Sequence, residues 1–281
     1  MHIINLIRAK DWLKNILIFF PLIFSGHLFD NSHYITLFIG FITFNILASC
    51  IYVINDILDI KEDKLHPIKK LTKPIASNKI TLNSSYVVLF FLIISCLTLV
   101  YFQPIIYTSV SFYLFIALSY NFIFKKIPYL ELIILSIGYV IRIDAGSRLI
   151  LVESSILMLT STFFLALFFL TIKRLGEINH FESTSNYKTR YILKFYSKKI
   201  LKRIIIILIF LLVLNLIIYT IIRDIKLILS VIFVFLFLIK YFRDTKDDTR
   251  GENPINFILS SKLLLLMSLL IILSSLVMYI N

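Results

Sequence analysis

The chain has 281 residues, 59% of them hydrophobic and only 16% charged, with a mean hydropathy of +0.92 and a formal net charge of +13. A soluble domain carries about 45–50% apolar and about 25% charged residues. Its surface must also scale with its volume, so no soluble core absorbs this much apolar side chain at this length. A soluble globular domain is excluded, and the composition is that of a chain made for lipid.

The first apolar run, Leu13 to Phe29, follows Arg8, Lys10 and Lys14 and has no small-residue cleavage site after it. It reads as a retained span rather than a signal peptide. A span needs about 20 mostly apolar residues. On that rule, runs near 12–31, 34–55, 84–103, 104–124, 129–149, 154–173, 203–222, 224–242 and 256–280 predict about nine transmembrane helices and an all-α polytopic membrane protein. Only Gln103-Pro104 divides the third run from the fourth. Cys50 and Cys96 both fall inside apolar runs and read as small buried hydrophobes, with no disulfide or metal role.

The basic residues orient these runs, because cytoplasmic loops collect Lys and Arg. With the N-terminus inside, the inner segments hold Arg8, Lys10 and Lys14, then the lysines from Lys61 to Lys79, then Lys125 and Lys126. They also hold the basic residues from Lys173 to Arg203 and from Lys240 to Lys262. Only Arg142, Arg148, Arg223 and Lys226 lie elsewhere. The expected topology is N-in and C-out in the cytoplasmic membrane, with His27 and His33 on the outer, solvated side. The net charge is then an orientation signal and an attraction to anionic lipid or phosphorylated substrates. Nucleic acid is not an expected partner, since there is no soluble basic domain to bind it. No internal repeat or linker divides the chain, so 1–281 reads as a single domain. The polar stretch Glu177 to Lys202 reads as a cytoplasmic loop with a short amphipathic helix over 187–202.

The most informative segment runs from Asn55 to Pro67, where the second span leaves the membrane. Asp56, Asp59 and Asp63 follow an i, i+3, i+7 spacing, which on a helix stacks three carboxylates along one face. Two unit charges about 4 Å apart repel by about 4 kcal/mol at an effective dielectric of about 20. A hard divalent cation among them removes that cost, and an all-oxygen donor set favours Mg²⁺, which also bridges to phosphates. The plain alternative is a solvated helix end with Asp59 and Asp63 paired to Lys61, Lys64 or Lys70, a kind of pairing that contributes little. Against it stands the location of Asp56 at the membrane boundary, where an ionisable group is costly and functional by default. A basic loop containing Lys69, Lys70 and Lys73 follows at once. An acidic face beside a basic loop suits a Mg²⁺-diphosphate, with carboxylates on the metal and ammonium groups on phosphate oxygens. His66 lies between them and is a candidate phosphate contact, with no second His nearby in sequence to make a metal site.

The segment Asn55-Asp56-x-x-Asp59-x-x-x-Asp63, with His66-Pro67 and Lys73-Pro74-Ile75-Ala76-Ser77, resembles the first aspartate motif of the UbiA superfamily of membrane prenyltransferases. The opening Arg8-x-x-x-Trp12-x-Lys14-Asn15 is similar to that family's N-terminal signature, and nine spans with the N-terminus inside match its helical bundle. Ordinary members carry a second motif, D-x-x-x-D, after the fourth or fifth span, and the corresponding stretch here, Ser119 to Glu131, has none. The stretch Ser119-Tyr120-Asn121 to Lys125-Lys126 and Glu131, with Gly138-Tyr139-Val140-Ile141-Arg142, is similar to the branch that moves phosphoribose onto a polyprenyl phosphate. So are Phe164 to Lys173-Arg174-x-x-Glu177 and Gly251-Glu252-Asn253-Pro254. Departures are Glu131 for a usual Asp, a basic loop one residue longer, and Asn78 for a usual Gly, a replacement Asn tolerates at positive φ.

The resemblance implies a single catalytic domain facing the cytoplasm, with Mg²⁺ on Asp56, Asp59 and Asp63. It implies Lys14, Lys125 and Glu131 as further catalytic residues, and Asn15, Asn55, Lys69, Lys70, Lys73, Tyr120, Arg142, Lys173 and Arg174 as substrate-binding ones. The expected donor is phosphoribosyl diphosphate and the expected acceptor a polyprenyl phosphate, its tail held among apolar spans. Lys125, Lys173, Arg174 and Arg142 are the expected basic cluster for the lipid phosphate, although Arg142 could instead pair with Asp144 or Glu131. A prenyl diphosphate donor with an aromatic or other small acceptor is the alternative on the same fold, weakened by the missing second motif. A transporter would more naturally show paired repeats and broken spans with charges at the midplane.

Overall fold

The computed structural model describes residues 2–65, 69–184 and 191–276. Among these residues the chain is all-helical, with no strand. In chain order the helices are α1 (His2–Leu6), α2 (Phe20–Phe24), α3 (Tyr34–Leu58), α4 (Ile60–Leu65), α5 (Lys69–Thr72), α6 (Leu82–Phe102) and α7 (Tyr107–Phe122). They continue as α8 (Leu130–Leu149), α9 (Ile156–Thr184), α10 (Lys198–Arg223), α11 (Ile228–Thr245), α12 (Pro254–Ser260) and α13 (Lys262–Ser275). A 3₁₀ segment, Ala9–Phe19, precedes α2.

Six of the expected runs are single helices long and apolar enough to cross a membrane: α3, α6, α7 with its 3₁₀ lead-in, α9, α10 and α11. The run near 256–280 is not straight, because α12 and α13 meet at 99° around Ser261, so the count is six, or seven with this bent pair, among the described residues. The run near 129–149 is α8, a 20-residue helix about 30 Å long. It carries Glu131, Arg142, Asp144 and Arg148, and so differs in character from the other long helices. The run near 12–31 is mainly the 3₁₀ segment followed by the short α2. Residues 187–190 of the expected amphipathic helix over 187–202, and His66-Pro67 of the acidic segment, lie outside the described residues. Tyr191–Phe195 is a 3₁₀ turn, and Lys198 to Arg203 open α10 instead of a separate helix.

The chain falls into two compact units. The first comprises Met1–Ile123 and Ile141–Ser154 and the second Phe124–Val140 and Ser155–Asn281. In the first unit α3 is the central element. Leu37, Gly40, Phe44, Leu47, Ala48 and Ile51 recur at helical spacing and are all buried. At Gly40, Leu149 Cδ1 lies 2.3 Å from where a Cβ would stand, so the end of α8 packs closely on α3 there and a side chain at 40 would displace Leu149. Gly146 leaves room for the 3₁₀ segment, since the Ile18 carbonyl oxygen is 2.1 Å from its absent Cβ. That close approach lays Ala9–Phe19 across α8. By contrast α6 is apolar all round and leaves Val87, Phe90, Phe91, Ile94, Leu97 and Tyr101 exposed, as a helix facing lipid does.

The second unit is built on α9 packed against α10, and α11 against α13. Phe168, Ile172, Leu175, Leu201, Ile205, Leu208, Leu238, Tyr241 and Leu264 form its buried core. Gly176 of α9 lies against the backbone of Gly251-Glu252, with the Glu252 nitrogen 2.8 Å from its absent Cβ. This contact seats the 3₁₀ turn Arg250–Glu252 on α9 and brings Glu252 Oε1 within 3.3 Å of His180 Nδ1. Burial pushes the Glu252 carboxyl above its ordinary pKa, against the pull of His180.

Candidate active site

Asp56 lies in the last turn of α3 and is buried. The helix ends at Leu58. Asp59 caps it, its amide donating to the Asn55 carbonyl at 2.9 Å, and α4 restarts at Ile60. The three aspartates therefore do not line one continuous helical face. The Asp63 amide donates to the Asp59 carbonyl at 2.8 Å, a helical bond that carries the chain across the break into α4, and the carboxylates of Asp56 and Asp63 are both buried. Asp59, at the break, is half-buried.

The basic loop folds onto this pair. Pro74, Ile75 and Ala76 are buried, and Ile75 and Ile80 pack with Leu6 and Val53. The loop closes through Asn78, whose φ of 58° matches the positive-φ role expected for it, with the Lys79 and Ile80 amides both donating to the Pro74 carbonyl. Lys73 thereby reaches the carboxylates, its Nζ 2.8 Å from Asp56 Oδ1 and 2.5 Å from Asp63 Oδ2. Lys69 Nζ lies 3.3 Å from Asp63 Oδ1. Among the described residues these distances pair Asp63 with Lys69 and Lys73 rather than with Lys61, Lys64 or Lys70. Lys70 is exposed and Asn55 half-buried.

Arg8, which the sequence reading left without a role in the site, is a further member. It sits at φ 51°, its NH2 donates to Asp56 Oδ1 at 2.7 Å, and its guanidinium covers the Tyr52 ring at 4.6 Å. The signal for it was its place in the Arg8-x-x-x-Trp12 pattern. Trp12 explains the pattern: its Nε1 donates to Ser49 Oγ at 3.0 Å and ties this segment to α3.

The convergence of Asp56 and Asp63 on a single cationic nitrogen tests the expected metal. Two buried carboxylates supply an all-oxygen donor set, which suits Mg²⁺. Among the described residues Asp63 Oδ1 is also a buried oxygen that accepts no hydrogen bond, the 3.3 Å approach of Lys69 lacking hydrogen-bond geometry. An acceptor left in that state is costly unless a further ligand uses it. The residues fit the ion.

Deeper in the first unit is a second polar group. Arg142 Nε donates to Asn15 Oδ1 at 2.5 Å and Arg142 NH2 to Tyr113 Oη at 3.0 Å, with the guanidinium 4.8 Å from the Tyr113 ring centre. Asn15 Nδ2 in turn donates to Asn45 Oδ1 at 2.6 Å. The side chains of Arg142, Asn15 and Asn45 are all buried. Arg142 thus engages Asn15 and Tyr113, while Asp144 is held by Arg148 at 2.7 Å and by Ser109. Asn45 and Tyr113 were absent from the expected site, and a polar residue inside an apolar run was the available sign. Lys14 Nζ sits 2.6 Å from Asp11 Oδ1, and Tyr120 lies half-buried in the last turn of α7.

In the second unit, Glu131 of α8 is fully buried and pairs with Arg174 NH2 at 2.7 Å. Arg174 also binds Glu177, and its buried Nε has no hydrogen-bond partner. Tyr196 Oη donates to Glu131 Oε1 at 2.8 Å and accepts from the Tyr129 amide at 3.0 Å. Burial and the Glu131 charge push the Tyr196 hydroxyl well up, which keeps it a donor. Lys125 is half-buried in the turn before α8, and Lys173 is exposed on α9.

Comparison with known proteins agrees with this architecture. The model of the UbiA prenyltransferase family matches residues 16–278. The chain is 30% identical over 203 residues to the decaprenyl-phosphate phosphoribosyltransferase of Corynebacterium glutamicum, a match covering 70% of this chain and 60% of that protein. It is 28% identical over 187 residues to the protein of that name from Mycobacterium tuberculosis, covering 65% of this chain and 62% of the relative. The match thus spans a little under two thirds of each relative's length. A solved UbiA homologue from Archaeoglobus fulgidus, bound to GPP and Mg²⁺, superposes with a TM-score of 0.72 at 16% identity over 99% of both chains. A digeranylgeranylglyceryl phosphate synthase does so with a TM-score of 0.67 at 19% identity, over 98% of this chain and 96% of that one. The all-helical fold, the row of apolar helices and the match over nearly the whole chain lead to one conclusion: the chain belongs to the UbiA prenyltransferase family and is a multi-pass membrane protein.

Proposed function

We propose that the chain, acting over 1–281 as one catalytic domain, is a Mg²⁺-dependent membrane transferase that moves 5-phosphoribose from phosphoribosyl diphosphate to a polyprenyl phosphate. The observation that carries this is the meeting of buried Asp56 and Asp63 on one cation beside Lys69, Lys73 and Arg8. Mg²⁺ bound by Asp56, Asp63 and, by the family motif, Asp59 would withdraw charge from a diphosphate and improve it as a leaving group. The names of the relatives favour the phosphoribosyl donor, as does the sequence Lys173-Arg174-x-x-Glu177 with no D-x-x-x-D between Ser119 and Glu131.

The residues divide the work as follows. Lys73, Lys69 and Arg8 release the carboxylates and bind diphosphate oxygens, offsetting the charge that builds as the bond breaks. A phosphate oxygen of the lipid acceptor attacks the anomeric carbon. The carbon–oxygen bond to diphosphate breaks, and its electron pair leaves with diphosphate. The acceptor is already anionic, so no strong base is needed. Arg174, with its unpaired Nε, and Lys125 and Lys173 are the proposed contacts of the lipid phosphate. Arg142, held by Asn15, supplies a buried positive charge. Lys14, Asn55, Lys70 and Tyr120 complete the proposed site of the first unit, and Glu131 is proposed as a functional member of the Arg174 cluster in the second. The excess of basic residues at one set of loops supports a cytoplasmic-membrane location with N-in, C-out topology and the site facing the cytoplasm.

The test uses purified protein in detergent with Mg²⁺, a polyprenyl phosphate and radiolabelled phosphoribosyl diphosphate, with label followed into the organic phase. Label in lipid that disappears with EDTA supports the reading. No transfer there, with prenylation in a matched reaction offering a prenyl diphosphate and an aromatic acid, overturns it in favour of prenyl transfer.

A further inference from the structure

The loop between α2 and α3 lies at the end of α3 remote from Asp56. It starts with a turn at Gly26, whose φ is 87°. Two successive i→i+3 turns follow. The Asp30 amide donates to the His27 carbonyl at 2.9 Å, and the His33 amide to the Asp30 carbonyl at 3.5 Å. Side chains three apart eclipse in such turns, so His27, Asp30 and His33 stack on one side of the loop. The two imidazole rings stand edge to face with centres 5.5 Å apart.

Asp30 Oδ2 lies 3.3 Å from His33 Nε2 and 3.9 Å from His27 Nδ1, and one ligand atom from each of the three residues lies within 4.8 Å of the other two. The other carboxylate oxygen is used elsewhere: Oδ1 accepts from the Ser32 amide at 3.0 Å and the Ser32 hydroxyl at 2.7 Å. Those bonds orient the carboxylate and leave Oδ2 toward the imidazoles, an arrangement like the outer-shell support of metal ligands. Tyr34 Oη donates to the Leu28 carbonyl and pins the loop to the start of α3. A tetrahedral zinc with bonds of about 2.0–2.1 Å requires ligand atoms roughly 3.3 Å apart. One edge already has that length, and a small rotation of His27 closes the others.

We infer that His27, Asp30 and His33 form a binding site for a divalent transition-metal ion of the zinc class, with water in the fourth position. Two imidazoles and one carboxylate are borderline ligands that select such an ion over Mg²⁺ or Ca²⁺. The site is separate from the aspartate centre and is clamped between the end of α2 and the first turn of α3. Metal there would fasten these two elements together.

The experiment uses the full chain in detergent, free of any affinity tag and stripped with a chelator, titrated with Co²⁺ and then with Zn²⁺. One equivalent of Co²⁺ per chain is expected to give the intense visible bands of a four-coordinate ion, which Zn²⁺ abolishes and excess Mg²⁺ leaves in place. His27→Gln and His33→Gln are each expected to weaken binding at least about tenfold, within the range reported for perturbed metal sites. Ser32→Ala should weaken it less. Both His variants alter half-buried loop side chains and should elute as the parent does. Binding unchanged in both, or no band in the parent, overturns the inference, and so does an equivalent lost only with His180→Gln, which would mark the His180–Glu252 pair as the metal's seat.

Discussion

Asp56 and Asp63 share one ammonium group: Lys73 Nζ stands 2.8 Å from the first carboxylate and 2.5 Å from the second. A single lysine thus holds the position that the proposed Mg²⁺ would take, and the loop proposed to bind a diphosphate pairs with the carboxylates. Substrate and metal would arrive by exchanging one set of charge pairs for another. That exchange limits the free-energy change on binding, because neither the carboxylates nor the ammonium is left unpaired in a buried setting.

The first consequence concerns the carboxylates. Asp63→Asn keeps the shape and removes the charge, so turnover should fall by about a thousandfold or more, as for loss of an electrostatic group used in the transition state. Expression level and elution in detergent should match the parent. Asp59→Asn should behave likewise if Asp59 joins the metal. Full activity in both variants, in the label-transfer assay, would sink the metal site.

Lys73 should show opposite effects on metal and on rate. In Lys73→Gln the competing ammonium is gone, so Mn²⁺ titrated without substrate, followed by electron paramagnetic resonance, should bind more tightly than to the parent. Turnover should nevertheless drop by about tenfold to a hundredfold, since a charge-assisted contact to the leaving group is lost. Weaker metal binding together with the lower rate would mean that Lys73 is a structural member of the site only.

The buried chain Arg142–Asn15–Asn45 predicts a stability effect. Asn15→Leu leaves the Arg142 Nε without the acceptor it reaches at 2.5 Å. A hydrogen bond to a charged group contributes about 1.5–3 kcal/mol, and losing one partner leaves the other desolvated. Thermal unfolding in detergent should register a loss of that size, and the smaller loss in Asn15→Asp would show that the acceptor oxygen is what matters.

At Gly176 the backbone of the Gly251-Glu252 turn is too close for any side chain, with the Glu252 nitrogen 2.8 Å from a Cβ. Gly176→Ala should therefore cost about 1–3 kcal/mol, as overpacking does, despite the higher helix propensity of Ala. Gly26, where nothing stands within 4 Å of a Cβ, gives the contrast: its demand is the positive φ and not space.

Much of this protein was legible in one dimension. Lipid as solvent requires long apolar helices, so the runs later seen as α3, α6, α7, α9, α10 and α11 stood out from hydropathy alone. The acidic segment and basic loop stood out because charge is rare in such a chain, and the positive φ of Asn78 followed from its position in a familiar pattern. Other features depended on folding. Spacing alone suggested one continuous helical face for Asp56, Asp59 and Asp63, and the helix is broken at Asp59 although Asp56 and Asp63 still share Lys73. The 99° bend at Ser261 is silent in composition, because an apolar run reads the same straight or bent.

The lipid solvent, the class of fold and the placing of the acidic and basic segments depend on residue type and on spacing within a few turns, and so could be read along the chain. Which charges meet is set by packing between distant segments. Arg8 joins Asp56 across 48 positions, Asn15 joins Arg142 across 127 and Glu131 joins Tyr196 across 65. Each pairing follows from helices held at a fixed distance by glycines and buried apolar faces, and no local periodicity records such distances.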